Sequence, residues 1–320
     1  FRLLPELLPK PYLEGFKRYL EAAVLQYPRM TRMIVTAHAY SFNEGFRFWA
    51  ASQIDSGTKL VCVQHGGGYG VGFRWSALQH EFRVADYYCT SGWVSQQRAR
   101  TVPMPIPKLA TSKKTYAATL NNAGRGLWIW RVIRRYPFRI AEGSIGQDTA
   151  EYLEEQRIFG HALQDSIRSL FTLRLHSPDN AWGEQDLARQ EFPDMLLDEC
   201  RIPFEIAARD SRLWIITNNG TSLLEAIVAN VPFVAFWNPA HCINKLSDEA
   251  VLLFDQLKRC GVFHETPGSA AQTVNEHFAD PARWWSAADI QRVRREFCER
   301  FAVTRGDWLD IWAKKIKELL

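Results

Sequence analysis

Short apolar runs alternate with helical patterns along most of this 320-residue chain, and that alternation limits its fold more than any other feature. Arg32–Ala37, Lys59–Val63 and Tyr87–Thr90 read as buried strands, with a helix over Asn43–Gln53 and another over Tyr12–Leu25. Farther on, Gly126–Trp130, Ser169–Leu175, Met195–Leu197, Arg212–Ile216 and Pro232–Phe236 read as strands. Helices are predicted over Thr149–Leu163, Trp182–Gln190, Pro203–Ala208 and Ser222–Ala229. The tail reads as helical throughout: Asp248–Arg259, Ala271–His277, Ala287–Phe301 and Trp308–Leu319. Strands that each wait for a helix before the next strand form parallel sheets covered by helices. The segment 101–124 is rich in proline and small polar residues and reads as a surface connection. The expected fold is therefore α/β, with two doubly wound, Rossmann-like domains facing each other across a cleft and a helical C-terminal tail. The domains would be 1–122 and 123–320. In such sheets ligands bind beyond the carboxyl ends of the strands.

Composition excludes little. The net charge of +4 does not argue for nucleic acid, and the basic run Arg125–Arg139 comes without a binding motif for it. That run is either a strand followed by a solvated basic turn or a patch for an anionic membrane surface. Six scattered cysteines without metal-ligand spacing suit reduced thiols in a cytoplasmic protein. The apolar stretch Ile215–Trp237 is interrupted by Asn218, Asn219, Glu225, Asn230 and Pro232, so it does not span a bilayer. The chain starts at Phe1 without a methionine, which reads as the inside of a longer protein.

Two loops carry the chemistry. Behind Lys59–Val63 comes QHGGGYGVG, with five of the chain's 19 glycines at Gly66, Gly67, Gly68, Gly70 and Gly72. It is not a dinucleotide fingerprint, because Val71 stands where the third glycine is needed, and it lacks the lysine of a P-loop. A tight turn needs one or two glycines. The cluster instead favours close approach of backbone to ligand, with Gly66, Gly67, Gly68 and Tyr69 against a sugar and His65 at the cleft mouth. His80 and Glu81 follow. Either they form a solvated edge, or Glu81 is the general acid/base toward an acceptor hydroxyl, with Glu44 competing for that role. The second loop, Asn219-Gly-Thr-Ser222, opens a helix. Ser222-x-x-Glu225 is a capping box on one reading. On the other, Asn219, Gly220, Thr221 and Ser222 receive a phosphate at the helix N-terminus while Glu225 accepts from ribose hydroxyls. Arg174, His176 and His241, each at a strand end, are candidates to hold the donor. Asp148 and Glu155 are candidate carboxylate nucleophiles.

The segment Ile215–Phe236 resembles the nucleotide-binding half of GT-B glycosyltransferases. More narrowly, QHGGGYG, HEFRVADYYCTSGW, FWNPAH and GVFHETPGSAAQTVNE resemble a bacterial family of transferases of surface-carbohydrate and O-antigen biosynthesis, similar in turn to retaining β-Kdo transferases that use CMP-Kdo. The resemblance implies a nucleotide-sugar donor, a glycan or lipid-linked acceptor, a retaining mechanism and a site at the inner membrane face. It carries no D-x-D motif, so no cofactor and no required metal are expected. A sugar-nucleotide epimerase and a non-catalytic glycan-binding module remain alternatives.

Overall fold

The computed structural model describes residues 4–73, 76–95, 100–117, 124–131, 134–136, 146–176, 182–241 and 244–320. Among them are ten strands: β1 Met33–Thr36, β2 Lys59–Val63, β3 Tyr87–Thr90, β4 Thr101–Pro103, β5 Arg125–Ile129, β6 Phe171–Arg174, β7 Leu196–Asp198, β8 Ser211–Ile216, β9 Phe233–Phe236 and β10 Phe263–His264. They form two sheets, ordered β1-β2-β3-β4 and β10-β9-β8-β5-β6-β7, with every pairing parallel. This is the GT-B-like arrangement of two α/β domains expected from the alternation. The second sheet is doubly wound, and its strand order reverses between β5 and β8. The first runs in one direction only.

Alternation within each strand explains the second sheet's burial. Leu127, Trp214, Ile216, Phe233 and Ala235 face one core, while Trp128, Leu213, Ile215, Val234 and Phe236 face the other. Side chains of period two thus fill both faces of a sheet covered on both sides. The helix Thr221–Ala229 lies in the first of these cores. It ends on Asn230 in the left-handed conformation, with φ 59°, a common helix stop.

The segment 101–124 differs from expectation. It carries β4 and the helix Pro107–Ala117, and that helix packs on Thr221–Ala229 of the second sheet. Its prolines sit where helices tolerate them, with Pro107 at the first position. Residues 118–123 lie outside the described residues. Several shorter elements also went unread, among them the helices Ala39–Phe42, Ser76–Val84, Asp165–Arg168 and Pro281–Trp285 and strand β10.

Four sets of contacts join the domains. Phe73 N donates to Lys245 O, and Ser247 N to Val71 O, both at 2.8 Å. Val303 N donates to Ser91 O at 2.8 Å, and Ser91 Oγ to Phe301 O at 2.6 Å. The tail helix Trp308–Leu319 returns to the first domain, where Trp312 Nε1 donates to Pro105 O and Lys59 Nζ to Leu319 O. The fourth is the tightest. A Cβ on Gly67 would lie 2.1 Å from Gly220 O.

Backbone meets backbone there, so neither side has a flexible side-chain end to move away. Gly67→Ala is therefore expected to lower stability by about 1–3 kcal/mol, read as a lower urea midpoint. Gly268→Ala, with nothing within 4 Å of its Cβ position, is the matched control and should leave the midpoint in place.

Candidate functional site

The reversal between β5 and β8 opens a cavity of about 580 Å³ beyond the carboxyl ends of the second sheet. Its floor comes from the loops after β5, β6 and β8 and from the residues that follow β7. Its opposite wall is the first domain's His65, Gly66, Gly67 and Gly68. Gln64 holds this wall in place. Its Oε1 accepts from Ser91 N and Trp93 Nε1, and its Nε2 donates to Gly66 O. Gly70, at φ 75°, lies where any Cβ would enter the Trp93 ring, so this glycine is required by packing. The glycines thus do two things: Gly66 to Gly68 present backbone to the cavity, and Gly67 and Gly70 permit the contacts that hold the loop.

The helix Thr221–Ala229 points its N-terminus into the cavity, capped by Gly220 without a side-chain partner. Its first amides and dipole are consequently available to an anion. The capping box is not formed, since Glu225 turns away from Ser222. Its Oε1 instead accepts from Ser112 Oγ at 3.0 Å and lies 3.6 Å from Lys108 Nζ, both on the helix Pro107–Ala117. Burial pushes the Glu225 carboxyl up, and Lys108 and Ser112 pull it back. Asn219 also lines the cavity, and its Oδ1 is buried without a hydrogen-bond partner among the described residues. A bound hydroxyl or amine would satisfy it.

Cationic groups gather on the same floor. Arg131, the second residue after β5, is buried with its guanidinium 4.1 Å from the centre of the Tyr152 ring. Burial lowers its proton affinity, countered by Tyr152, Glu155 and Asp148. Arg174 is paired with Asp198 and donates to Ile202 O at 3.0 Å. His176 lines the cavity, and burial, then the charges of Arg134 and Arg174, hold its proton affinity down. Of the residues expected to hold a donor, Asn219, Gly220, Thr221, Ser222, Glu225, Arg174 and His176 all reach this cavity.

His241 does not. It is buried, and its Nε2 lies 2.8 Å from Glu151 Oε2, tying the loop after β9 to the helix Gln147–Ala162. That contact draws the Glu151 carboxyl below its usual range. Asp148 and Glu155 lie on the same helix and do not line the cavity either, and burial pushes Glu155 up. Glu44 is exposed and bonded to Arg47 and Tyr12, and His80 packs near the Tyr40 ring outside the cavity.

Glu81 is the largest correction among the expected acid/base groups. The helix Ser76–Val84 turns it into the first domain, where it is 0% exposed, so its carboxyl has no path to a substrate hydroxyl. It accepts from Tyr69 Oη at 2.9 Å, and Tyr69 Oη lies 3.3 Å from His65 Nδ1. His65 is exposed and lines both the cavity at the β5/β8 reversal and a neighbouring apolar one of about 650 Å³, formed with Val35, Val63, Ile106, Trp308 and Trp312.

The basic run does not form one patch. Arg125 lies at the start of β5, bonded to Ser169 O and Phe171 O, and Arg131 lies buried past the strand's other end. Arg139 lies outside the described residues. No helix among the described residues is long and apolar enough to cross a membrane. Sequence reasoning missed Lys108, Ser112 and Gln64. The signal for the first two was Pro107 opening a helix; Gln64 gave none, since its role depends on Ser91 and Trp93.

Among solved structures, the chain is similar to MurG of Acinetobacter baumannii, at 12% identity over 97% of this chain and 80% of that one, with a TM-score of 0.47. It is also similar to the wall teichoic acid polymerase TagF, at 12% identity over 94% and 85%, TM-score 0.46. A third is WaaG, a glycosyltransferase involved in lipopolysaccharide biosynthesis, at 13% identity over 90% and 69%, TM-score 0.34. No curated protein matches the sequence. A family model for LIC12162 family transferases covers residues 1–316, and the chain belongs to that family of transferases.

Proposed function

We propose that this transferase moves a glycosyl group from a nucleotide sugar to a hydroxyl of a growing surface glycan, with CMP-Kdo the first donor to test. The observation that carries the reading is the cavity at the β5/β8 reversal, where a helix N-terminus, Arg131, Lys108 and the buried Asn219 side chain converge. That set suits a ligand with a phosphate at one end and hydroxyls or a base at the other. The phosphate lies against the amides of Thr221 and Ser222. Arg131 and Lys108 oppose the charge that grows on the leaving phosphate, so the reaction needs no bound metal. His65, across the cavity from Thr221, receives the acceptor's proton. Bond formation at the sugar then takes place between the two domains, shielded by the glycine loop. The acceptor is a glycan or a lipid-linked glycan, reached from the inner membrane surface.

A thermal-shift panel of CMP, UDP, GDP, ADP and TDP tests the donor class. Ligand at a hundred times its dissociation constant should stabilise the fold by about 2.7 kcal/mol. Stabilisation by CMP supports the Kdo-type donor, and stabilisation by UDP or GDP replaces it with another sugar nucleotide. Silence across the panel would favour a non-catalytic glycan-binding module. A rearranged sugar formed without acceptor would favour an epimerase.

Lys108 is more than half exposed and faces both the cavity and the buried Glu225 carboxyl, so a urea melt of its variant separates lost binding from lost stability. Lys108→Ala is expected to weaken binding of the stabilising nucleotide about 10- to 100-fold, the scale of one charge-assisted hydrogen bond. Lys113→Ala on the same helix is the control. Titration calorimetry reads both. Transfer rates should also be unchanged by EDTA, and a loss restored by a divalent ion would overturn the metal-free reading.

A further inference from the structure

We infer that the apolar cavity beside the tail helix receives the terminal sugar of the acceptor, laid against the Trp308 indole. That the sugar belongs to the acceptor rests on the transferase reading above, whereas its binding needs no donor.

The cavity exists because the tail helix covers its sheet incompletely. Trp308, Ile311, Trp312 and Leu319 share one face of Trp308–Leu319 at helical spacing. Ile311, Trp312 and Leu319 pack against the first core, whereas Trp308, in the first turn, joins no core among the described residues and lines the cavity. On the sheet side, Val35 of β1 pairs in register with Val61, two residues before Val63 of β2. Val35 and Val63 therefore lie on one face, and both line the cavity. Lys59, on that same face at the other end of β2, reaches Leu319 O. The tail helix thus runs antiparallel to β2 and sets Trp308 at the strands' carboxyl ends, where ligands of parallel sheets bind. Val35 remains 44% exposed. Parallel sheets are ordinarily covered on both faces, so an open valine there marks where the cover stops.

The lining suits a sugar ring. Ile106 and Pro107 extend the apolar wall, while Thr36, His38, His65 and Lys108 add a hydroxyl, two imidazoles and an ammonium group. A pyranose has a face of C–H groups that lies on an indole, and hydroxyls round its edge that reach such polar groups. Position decides between the sugar and the lipid of a lipid-linked acceptor. His65 and Lys108 line both this cavity and the one at the β5/β8 reversal. An occupant of the apolar cavity therefore adjoins the bond being made. In a lipid-linked glycan that place belongs to the sugar bearing the reacting hydroxyl, with the lipid farther along. Trp308 is accordingly a specificity residue for the acceptor, and the tail helix is part of the site.

Methyl glycosides of glucose, galactose, mannose, rhamnose, N-acetylglucosamine and Kdo serve as probes, each titrated into nitrogen-15-labelled protein, with farnesol as the lipid probe. The Trp308 indole N–H signal is assigned from its loss in Trp308→Phe. At least one glycoside is expected to move that signal, while farnesol leaves it in place. Trp308→Ala should weaken the responding glycoside about tenfold, the scale of a lost aromatic contact, read at the Trp312 indole. Val35→Phe narrows the cavity from the sheet side with the tail intact and should weaken it likewise. Leu309→Ala, at an exposed neighbour that does not line the cavity, is the control. A response to farnesol, or silence to every glycoside, overturns the proposal. Glycoside binding with a silent nucleotide panel leaves the sugar site standing and removes the transferase reading; nucleotide binding with silent glycosides does the reverse. Once a donor is known, Trp308→Ala should raise the acceptor KM about tenfold with the donor KM unchanged, and Trp308→Phe, which keeps a ring, should recover most of the loss. An equal rise in both KM values would assign Trp308 to structure alone.

Discussion

The approach of Gly67 to Gly220 is the constraint from which the site follows. Two backbones from different domains touch where Gly67 has no room for a side chain, and this contact lies at the point where the second sheet reverses direction. Each side is built to be placed there. Gln64 fixes the glycine loop from within the first domain, and the turn after β8 brings Gly220 to the start of its helix. With the two in contact, His65 and Thr221 line the same cavity from opposite domains. A looser joint would lose that register, because catalysis by positioning depends on fractions of an ångström.

The cationic groups around the cavity are each held by neighbours of a different kind. Arg174 is neutralised by Asp198, and Lys108 leans toward Glu225, so neither presents a full bare charge to the solvent. Arg131 is buried with its guanidinium over the Tyr152 ring, and the charges of Glu155 and Asp148 support its proton. A desolvated cation stacked on a ring costs folding energy that an arriving phosphate can offset. The helix N-terminus adds partial charges that need no reorganisation when the ligand arrives.

The architecture was legible because it rests on local periodicity. Eight of the ten described strands lie within or beside segments that read as strands, while β4 lies in the segment read as a surface connection. β10 escaped notice because two residues carry no period. The helix N-terminus at the cavity was legible for a similar reason: strand, polar turn and helix are consecutive in Ile215–Ala229. The first domain's side of the cavity was not. Glu81 looked like a group at the cleft because it follows the glycine loop, but a helix of nine residues rotates it inward. Only the fold shows that it meets Tyr69, twelve residues earlier, and through it His65. Ser112 and Glu225 are 113 residues apart, and nothing local announces that pair.

The tail makes the same point in the opposite direction. Trp308–Leu319 has an apolar face that sequence reads easily, but the periodicity does not say which domain that face covers. It covers the first, and it does so through polar atoms as well as apolar ones, with Trp312 reaching Pro105 O and Lys59 reaching Leu319 O. Hydrogen bonds of this kind fix orientation where apolar contact alone would allow sliding. The chain therefore leaves the first domain by the helix Pro107–Ala117, which packs on the second, and returns by Trp308–Leu319, which packs on the first. Both exchanges lie beside His65 and Lys108, at the walls of the two cavities. A rotation of one domain against the other would have to strain the Gly67 contact and both exchanged helices together. The depth of the cleft is accordingly a property of the whole chain and is set before any ligand binds.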